Sequence, residues 1–261
     1  MIKALNTAAT GMQAQQTNME VVTNNLANVS TAGFKKSRAE FEDLVYQNIR
    51  EPGQASGLNA YSPTGVQTGS GVRTSAIQKD FTNGNAVITK NPLDVQIEGS
   101  GFFQVSTPDG QVAYTRDGQF KKDAQGRIVD KNGNTLVPEV TLPPETSGME
   151  ITPAGEVRIQ TNGATAMQTV GNVEIVNFVN PAGLTALGRN LFSPTGASGQ
   201  PVPGRPGTQG LGFLSQGQHE SSNVNVVDEM VSMISAQRAY ETNSKAIQAA
   251  DQMLQTVNAL R

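Results

Sequence analysis

The chain has no cysteine and no tryptophan, and its 261 residues include one histidine, His219. Without thiols there can be no disulfide and no thiolate metal site, and a single imidazole cannot form a histidine metal cluster. A Ser–His–Asp triad would rest on His219 alone, which sits in Gln-Gly-Gln-His-Glu-Ser-Ser with no Gly-x-Ser-x-Gly elbow. His219 therefore reads as a polar junction residue. Aromatic residues reach 5% and hydrophobic residues 36%, so a large dry core cannot be assumed, and neighbours in an assembly would supply part of the stability. Charge is thin at 16%, with 19 basic against 22 acidic residues and a net −3. That balance gives no electrostatic footprint for nucleic acid or an anionic membrane. No apolar run approaches the ~18 residues of a membrane span. After Lys3, the run Ala-Leu-Asn-Thr-Ala-Ala-Thr-Gly is too polar and broken for a signal-peptide core. Export, if it occurs, is expected without a cleaved signal peptide.

What the chain does have is a helical stripe at each end. Leu5, Met12, Met19 and Leu26 recur every seven residues, as do Val226, Met233, Tyr240, Ile247 and Leu254. A seven-residue apolar repeat marks a helix that seeks another helix. Helices at opposite ends of one chain meet only if the middle loops out and returns. The first helix is expected from about Lys3 to about Ser30, with Gly33 as a left-handed stop. The last is expected from near Asn223 almost to Arg261. Polar residues dilute both seams: Gln16 and Thr23 beside the first stripe, and Gln237, Ser244 and Asp251 in the second. The pair should be marginal alone and stable when packed in a polymer. Between Lys3 and Lys35 the only charged residue is Glu20. Such a neutral, amide-rich face suits contact with protein or with a passage that should not attract charge. Gln13, Gln16, Gln248, Gln252 and Gln255 are candidates for lining a passage.

The middle has a different period. Residues 47–74 are rich in Gly, Ser, Pro and Gln and read as an extended connector, with Leu58, Tyr61 and Val66 as apolar anchors. Strand signals follow at Leu93, Val95 and Ile97, at Phe103 and Val105, and onward through Val112, Tyr114, Phe120, Ile128 and Val129. The turn dipeptides Asp109-Gly110, Asp117-Gly118, Gln125-Gly126 and Asn132-Gly133 space these pieces as in an antiparallel meander. Val157, Ile159, Val173, Ile175 and Phe178 add further strands. The fold class is therefore α+β: N- and C-terminal helices form a coiled-coil-like inner domain, and an antiparallel all-β domain lies between. The expected parts are 1–46, an N-terminal helix and junction; 47–74, the connector; 75–221, the β-rich domain; and 222–261, the C-terminal helix.

Chemistry-bearing constellations are scarce. Asp130, Asn132 and Asn134 imitate the opening of a calcium loop, but Thr135 stands where glycine is required and Thr141 where glutamate is required. A hairpin turn is the better account. Gly210-Leu-Gly212-Phe-Leu-Ser215 falls short of a dinucleotide fingerprint and has no βαβ context. Paired carboxylates for sugar hydrolysis could arise from any of 22 acids, but most lie in turns or helices. No catalytic, cofactor-binding or metal-binding residue is expected. A structural fibre subunit, such as a phage-tail or adhesin protein, and a secreted carbohydrate-active enzyme remain as classes on these grounds.

The segment Asn24-Asn25-Leu26-Ala27-Asn28-Val-Ser-Thr-Ala-Gly33-Phe34-Lys35 resembles the N-terminal signature of the bacterial flagellar rod and hook proteins. Ser222-Asn223-Val224 through Gln237-Arg238-Ala239-Tyr240 to Lys245 resembles their C-terminal signature. Residues 93–103 and 113–120, with Val179–Leu184 and Asn190–Phe192, are similar to the family's shared β domain. Within the family, the chain's size and Phe41-Glu-Asp-Leu-Val-Tyr-Gln-Asn-Ile-Arg-Glu-Pro-Gly53 most resemble the distal-rod members, with proximal-rod or short hook members as the alternative. The resemblance implies a non-enzymatic subunit of a helical homopolymer, a tube that joins the motor to the hook and encloses the export channel. It also implies export through the flagellar type III apparatus and a place in the rod as it crosses the periplasm. Implied partners are further copies of the chain, proximal-rod proteins, hook protein and bushing-ring proteins. Neither nucleic acid nor membrane insertion is implied.

Overall fold

The computed structural model describes residues 2–52, 55–57, 60–61, 63–162 and 166–259. The chain forms two compact units: residues 1–27, 37–79 and 225–261 make one, and residues 28–36 and 80–224 the other.

The first unit holds both helices, α1 (Ile2–Ala27) and α2 (Val226–Ala259). At 1.5 Å per residue they are rods of roughly 40 and 50 Å. α1 contains no proline, and its hydroxyls at Thr7, Thr10 and Thr17 donate back to main-chain carbonyls of the helix. It ends three residues before the expected Ser30, where Thr31 N–H donates to Asn28 O at 3.1 Å. α2 begins later than expected because Asn225, not Asn223, caps it: its Oδ1 accepts the Val227 N–H at 3.1 Å. Asp228 and Glu229 in the first turn suit the positive end of the helix dipole.

The helices run antiparallel. Asn25 Nδ2 donates to Glu229 Oε2 at 3.2 Å, and a Cβ on Gly11 would lie 2.9 Å from Asn243 Nδ2. These two contacts are fourteen residues apart on each helix and run in opposite order. Ala14, Val21, Val22 and Asn25 are buried on α1, and Ala236 and Ala250 on α2.

The segment expected as an irregular connector is a paired ribbon. The strand Ser37–Asp43 pairs antiparallel with Val72–Lys79, and Gln47–Arg50 continues the ribbon against Val66–Thr68. The expected boundary at 74/75 falls inside one of these strands. Asn25 binds Ser37 at one end of the ribbon, Val72 N–H donates to Thr10 Oγ1 farther along, and Lys3 bonds to Gln47 at the other end. From Asn25 to Lys3 the helix covers ~33 Å, and the ten steps of extended chain from Ser37 to Gln47 cover ~33 Å as well. The ribbon thus lies along α1, which packs against Ser37–Asp43 and Val72–Lys79, whereas Gln47–Arg50 and Val66–Thr68 are exposed throughout. Val66 is exposed, Tyr61 is described only in its backbone, and Leu58 lies outside the described residues.

The second unit is the β body, and every strand pair in it is antiparallel. Its largest sheet runs Lys121–Lys122, Ile128–Val129, Thr135–Val137, Phe102–Ser106, Val112–Thr115, Leu191–Ser193, Thr185–Gly188; Ile175–Asn177 joins Phe102–Phe103 to Val202–Gly204. Strand alternation sends Phe103 and Val105 to one face and Phe102 to the other. Phe103, Phe120, Ile128 and Val157 belong to the main cluster, while Phe102, Tyr114, Phe178 and Phe192 form a second with Phe81. The few aromatics are thus concentrated rather than spread, with edge-on contacts such as Tyr114–Phe178 at 4.9 Å.

The expected meander is only local. Thr135–Val137 crosses back to Phe102–Ser106, and Val95–Glu98 pairs with Phe213–Gln216 instead of joining the large sheet. Asp117-Gly118 is a crossing rather than a hairpin tip. Gly118 O accepts the Val95 N–H at 3.0 Å, and a Cβ on Gly118 would lie 1.7 Å from Val95 O. Asn132-Gly133 does close a hairpin: Asp130 Oδ1 accepts the N–H groups of Asn132 and Asn134, and Asp130 Oδ2 accepts Asn134 Nδ2.

Candidate assembly site

Two buried polar clusters and one seam occupy the segments singled out by the sequence. In the first unit, Asn25 acts as a surrogate backbone. Its Nδ2 donates to Ser37 O and its Oδ1 accepts the Ser37 N–H, both at 2.8 Å. With its further bond to Glu229, it ties the end of α1, the start of the ribbon and the first turn of α2.

The second cluster lies in the β body. Glu220 accepts from Lys35 Nζ at 2.7 Å, from Arg116 Nη1 at 3.3 Å and from the Gly84 N–H at 2.7 Å. Lys35 also donates to Thr82 O at 2.7 Å, and Arg116 Nη2 to Gly99 O at 2.7 Å. The Arg116 guanidinium lies 5.4 Å from the centre of the Phe102 ring. Lys35, Glu220 and Arg116 are 1%, 1% and 4% exposed, so two cations share one carboxylate away from water. Burial holds both the Lys35 ammonium and the Arg116 guanidinium below their ordinary pKa values, against the opposing pull of Glu220.

The signature residues fasten the same region. Asn223 Oδ1 accepts the Lys36 N–H at 2.8 Å, and its Nδ2 donates to Asp80 O and to Thr82. Ser222 Oγ accepts the Val224 N–H at 3.3 Å. Gly33 N–H donates to Glu220 O at 2.8 Å. Gly33 has φ +68°, and an added Cβ would lie 2.7 Å from Asp117 N and 2.8 Å from the Arg116 carbonyl carbon, so both its conformation and its space require glycine. Phe34 and Val224 are buried, and Asn28 O closes the turn that follows α1.

The seam differs from the stripes that announced it. On α1 it runs through Gly11, Ala14, Asn18, Val21 and Asn25, alternating steps of three and four. Leu5, Met12, Met19 and Leu26 are only half-buried. Met12 and Met19 stand two residues from Ala14 and Val21, about 200° around the axis, and so face away from the seam. On α2 the expected stripe flanks the real line. Met233, Ile247 and Leu254 are half-buried, whereas Val226 and Tyr240 are each 39% exposed. The intervening positions are Ala236, Asn243 and Ala250 rather than Gln237, Ser244 and Asp251. Gln237 and Arg238 are exposed, and Ala239 is half-buried.

Sequence reasoning missed the Lys35–Glu220–Arg116 cluster and the small-residue seam. The seam had a signal in the three-four spacing of Gly, Ala and Asn, but no residue in it is strongly apolar apart from Val21. His219 lies half-buried in Gln218–Glu220, with Nδ1 3.5 Å from Gln119 Nε2. Among the described residues, no group of three His, Cys, Asp or Glu side chains could hold a metal ion.

Helical ends and a β middle also organise the matches to known proteins. Residues 5–35 match the family described as flagella basal body rod protein. Residues 96–159 match the flagellar hook protein FlgE/F/G D1 domain, and residues 215–260 the flagellar basal body rod FlgEFG protein C-terminal family. The chain is 48% identical over 260 residues to a flagellar basal-body rod protein FlgG of Buchnera aphidicola, covering 100% of both chains. It is 45% identical over 261 residues to the FlgG of Caulobacter vibrioides, again covering 100% of both. To the FlgG of Borreliella burgdorferi it is 46% identical over 263 residues, covering 100% of this chain and 99% of that one. The chain belongs to the FlgG family of flagellar basal-body rod proteins.

Proposed function

We propose that the chain is a structural subunit of the distal rod, polymerising into a rigid helical tube that carries motor torque to the hook and encloses the export channel. Full-length similarity to basal-body rod proteins carries this reading, and the structure supports it physically. Both ends of the chain lie in one unit built of two long helices, and those helices keep apolar residues exposed that an isolated protein would cover. No helix among the described residues is long and apolar enough to cross a membrane.

In this reading α1 and α2 form the coiled-coil-like inner domain through the Gly11–Asn25 seam, and neighbouring copies cover the half-open stripe of Leu5, Met12, Met19 and Leu26. The β body forms the outer layer. Proximal-rod, hook and bushing-ring proteins are the partners at its ends and around it. Gln248, Gln252 and Gln255 are exposed on α2, and their neutral amides suit a channel that must neither grip nor trap an unfolded chain. A map of the tube with these amides buried between subunits would remove that part.

The ribbon supplies stiffness. It splints α1 in its own copy, and Leu58, Tyr61 and Val66 serve as anchors to a neighbour. Each residue fixed against a neighbour costs about 1–2 kcal/mol in backbone entropy, which contacts between copies must offset. Deleting residues 48–66 is expected to leave polymerisation intact and to give visibly curved filaments in electron micrographs. Deletion filaments as straight as the original would reduce the segment to a passive linker.

A further inference from the structure

Each helix of the pair turns a second face outward, and the two outward faces are complementary. On α2, Val227, Met230, Val231 and Ile234 are 67%, 50%, 59% and 48% exposed. Steps of three and four place them on one side of the helix. Ile234 is two residues from buried Ala236, about 200° around the axis, so this side points away from α1. The first charge along it is Arg238, which is exposed.

On α1, the residues Gln16, Met19, Glu20, Thr23, Asn24 and Ala27 line an open trough of about 430 Å³. Thr23 is two residues from both Val21 and Asn25, which are buried, so the trough likewise faces away from the in-chain seam. Its one charge, Glu20, is also the only charge between Lys3 and Lys35.

We propose that the Val227–Arg238 face of α2 docks antiparallel into the α1 trough of a second copy, with Arg238 pairing with Glu20. The proposal rests on the reading of the chain as a rod subunit and names the contact that would build it. The spans agree: 227 to 238 and 16 to 27 are both eleven residue steps, about 16 Å of helix. Laid antiparallel, Val227 meets Ala27, Ile234 lies level with Glu20, and Arg238 lies level with Gln16. Helical side chains lean toward their own N-termini, so Glu20 leans toward the level of Arg238 and Arg238 toward the level of Glu20. Gln16 Nε2 already donates to Glu20 Oε1 at 3.2 Å, which holds the carboxylate over the trough. The two faces are different surfaces of the same chain, so the contact is heterologous and propagates from copy to copy instead of closing a dimer. It also places Gln16 between copies rather than on the channel.

A charge swap tests the pairing. The full-length chain, E20R, R238E and the E20R/R238E double variant are expressed in a bacterium lacking its own distal-rod subunit, and basal bodies are imaged. Circular dichroism of each purified variant checks that the β body stays folded; both sites are exposed, so it should. The unaltered chain is expected to give rods, each single variant at least a tenfold loss of rods, and the double variant recovery to near the unaltered level. Single variants that build rods normally, or a double variant that fails as badly as the singles, would overturn the pairing and leave the rod reading standing. Absence of rods with the unaltered chain would instead refute the rod reading, and the pairing with it.

Discussion

Replacing Glu220 with glutamine is expected to destabilise the β body by about 3–5 kcal/mol, the range for removing one partner of a buried charge cluster. The variant keeps the shape of the side chain but leaves the Lys35 ammonium and the Arg116 guanidinium without a counter-charge, where almost no water reaches them. At about 2–4 °C per kcal/mol for a unit of this size, thermal melts should move down by roughly 6–20 °C. The pH dependence identifies the cause. Burial depresses the folded-state pKa of Lys35 below its ordinary 10.5. Between the folded value and 10.5 the unfolded chain therefore binds more protons, and stability from this group rises with pH. That contribution is lost as pH falls through the folded pKa. Glutamine at 220 removes the opposing pull and lowers the folded value further, which widens the window. The deficit of the variant should shrink as pH is raised toward 10. A melt unchanged by the substitution, or a deficit constant across that range, would mean that the cluster is not the charged triad described.

Placing aspartate at Ala236 should abolish rod assembly while the β body stays folded. Ala236 is 2% exposed in the helix seam, and an unpaired carboxylate there costs several kcal/mol. A cost of three kcal/mol corresponds to about a hundredfold shift against helix pairing. The seam and the β core belong to different units, so tertiary signals from Phe102, Tyr114 and Phe178 should persist. Aspartate at Leu26 or Ile247 is expected to act in the same direction but more weakly, since both residues are half-buried and flank the seam. Normal rods from the Ala236 variant would place the seam elsewhere.

Much of this architecture was legible in the sequence because periodicity is a local property. The terminal helices, the β middle and the turns at Asn132-Gly133 and Asp109-Gly110 follow from spacing and turn chemistry alone. Pairings between distant segments were not legible. Nothing near residues 47–68 indicates that Gln47–Arg50 pairs with Val66–Thr68, because both strands are exposed throughout and carry no apolar alternation. Glu220 gives no local sign of its partners, which lie 185 and 104 residues away. Ala14, Ala236 and Ala250 lie outside the stripes of large residues, because close helix approach favours small side chains. The half-open faces bearing Met19 and Ile234 instead suit contacts that a single chain does not contain.

The most direct measurement is a density map of rods assembled from this chain, at a resolution that traces helices. Such a map should show a tube whose innermost layer is α1 and α2, with Gln248 and Gln252 toward the channel, the β body outside, and Glu20 of one copy beside Arg238 of the next. A tube lined by the β body, or a filament with no channel, would contradict it.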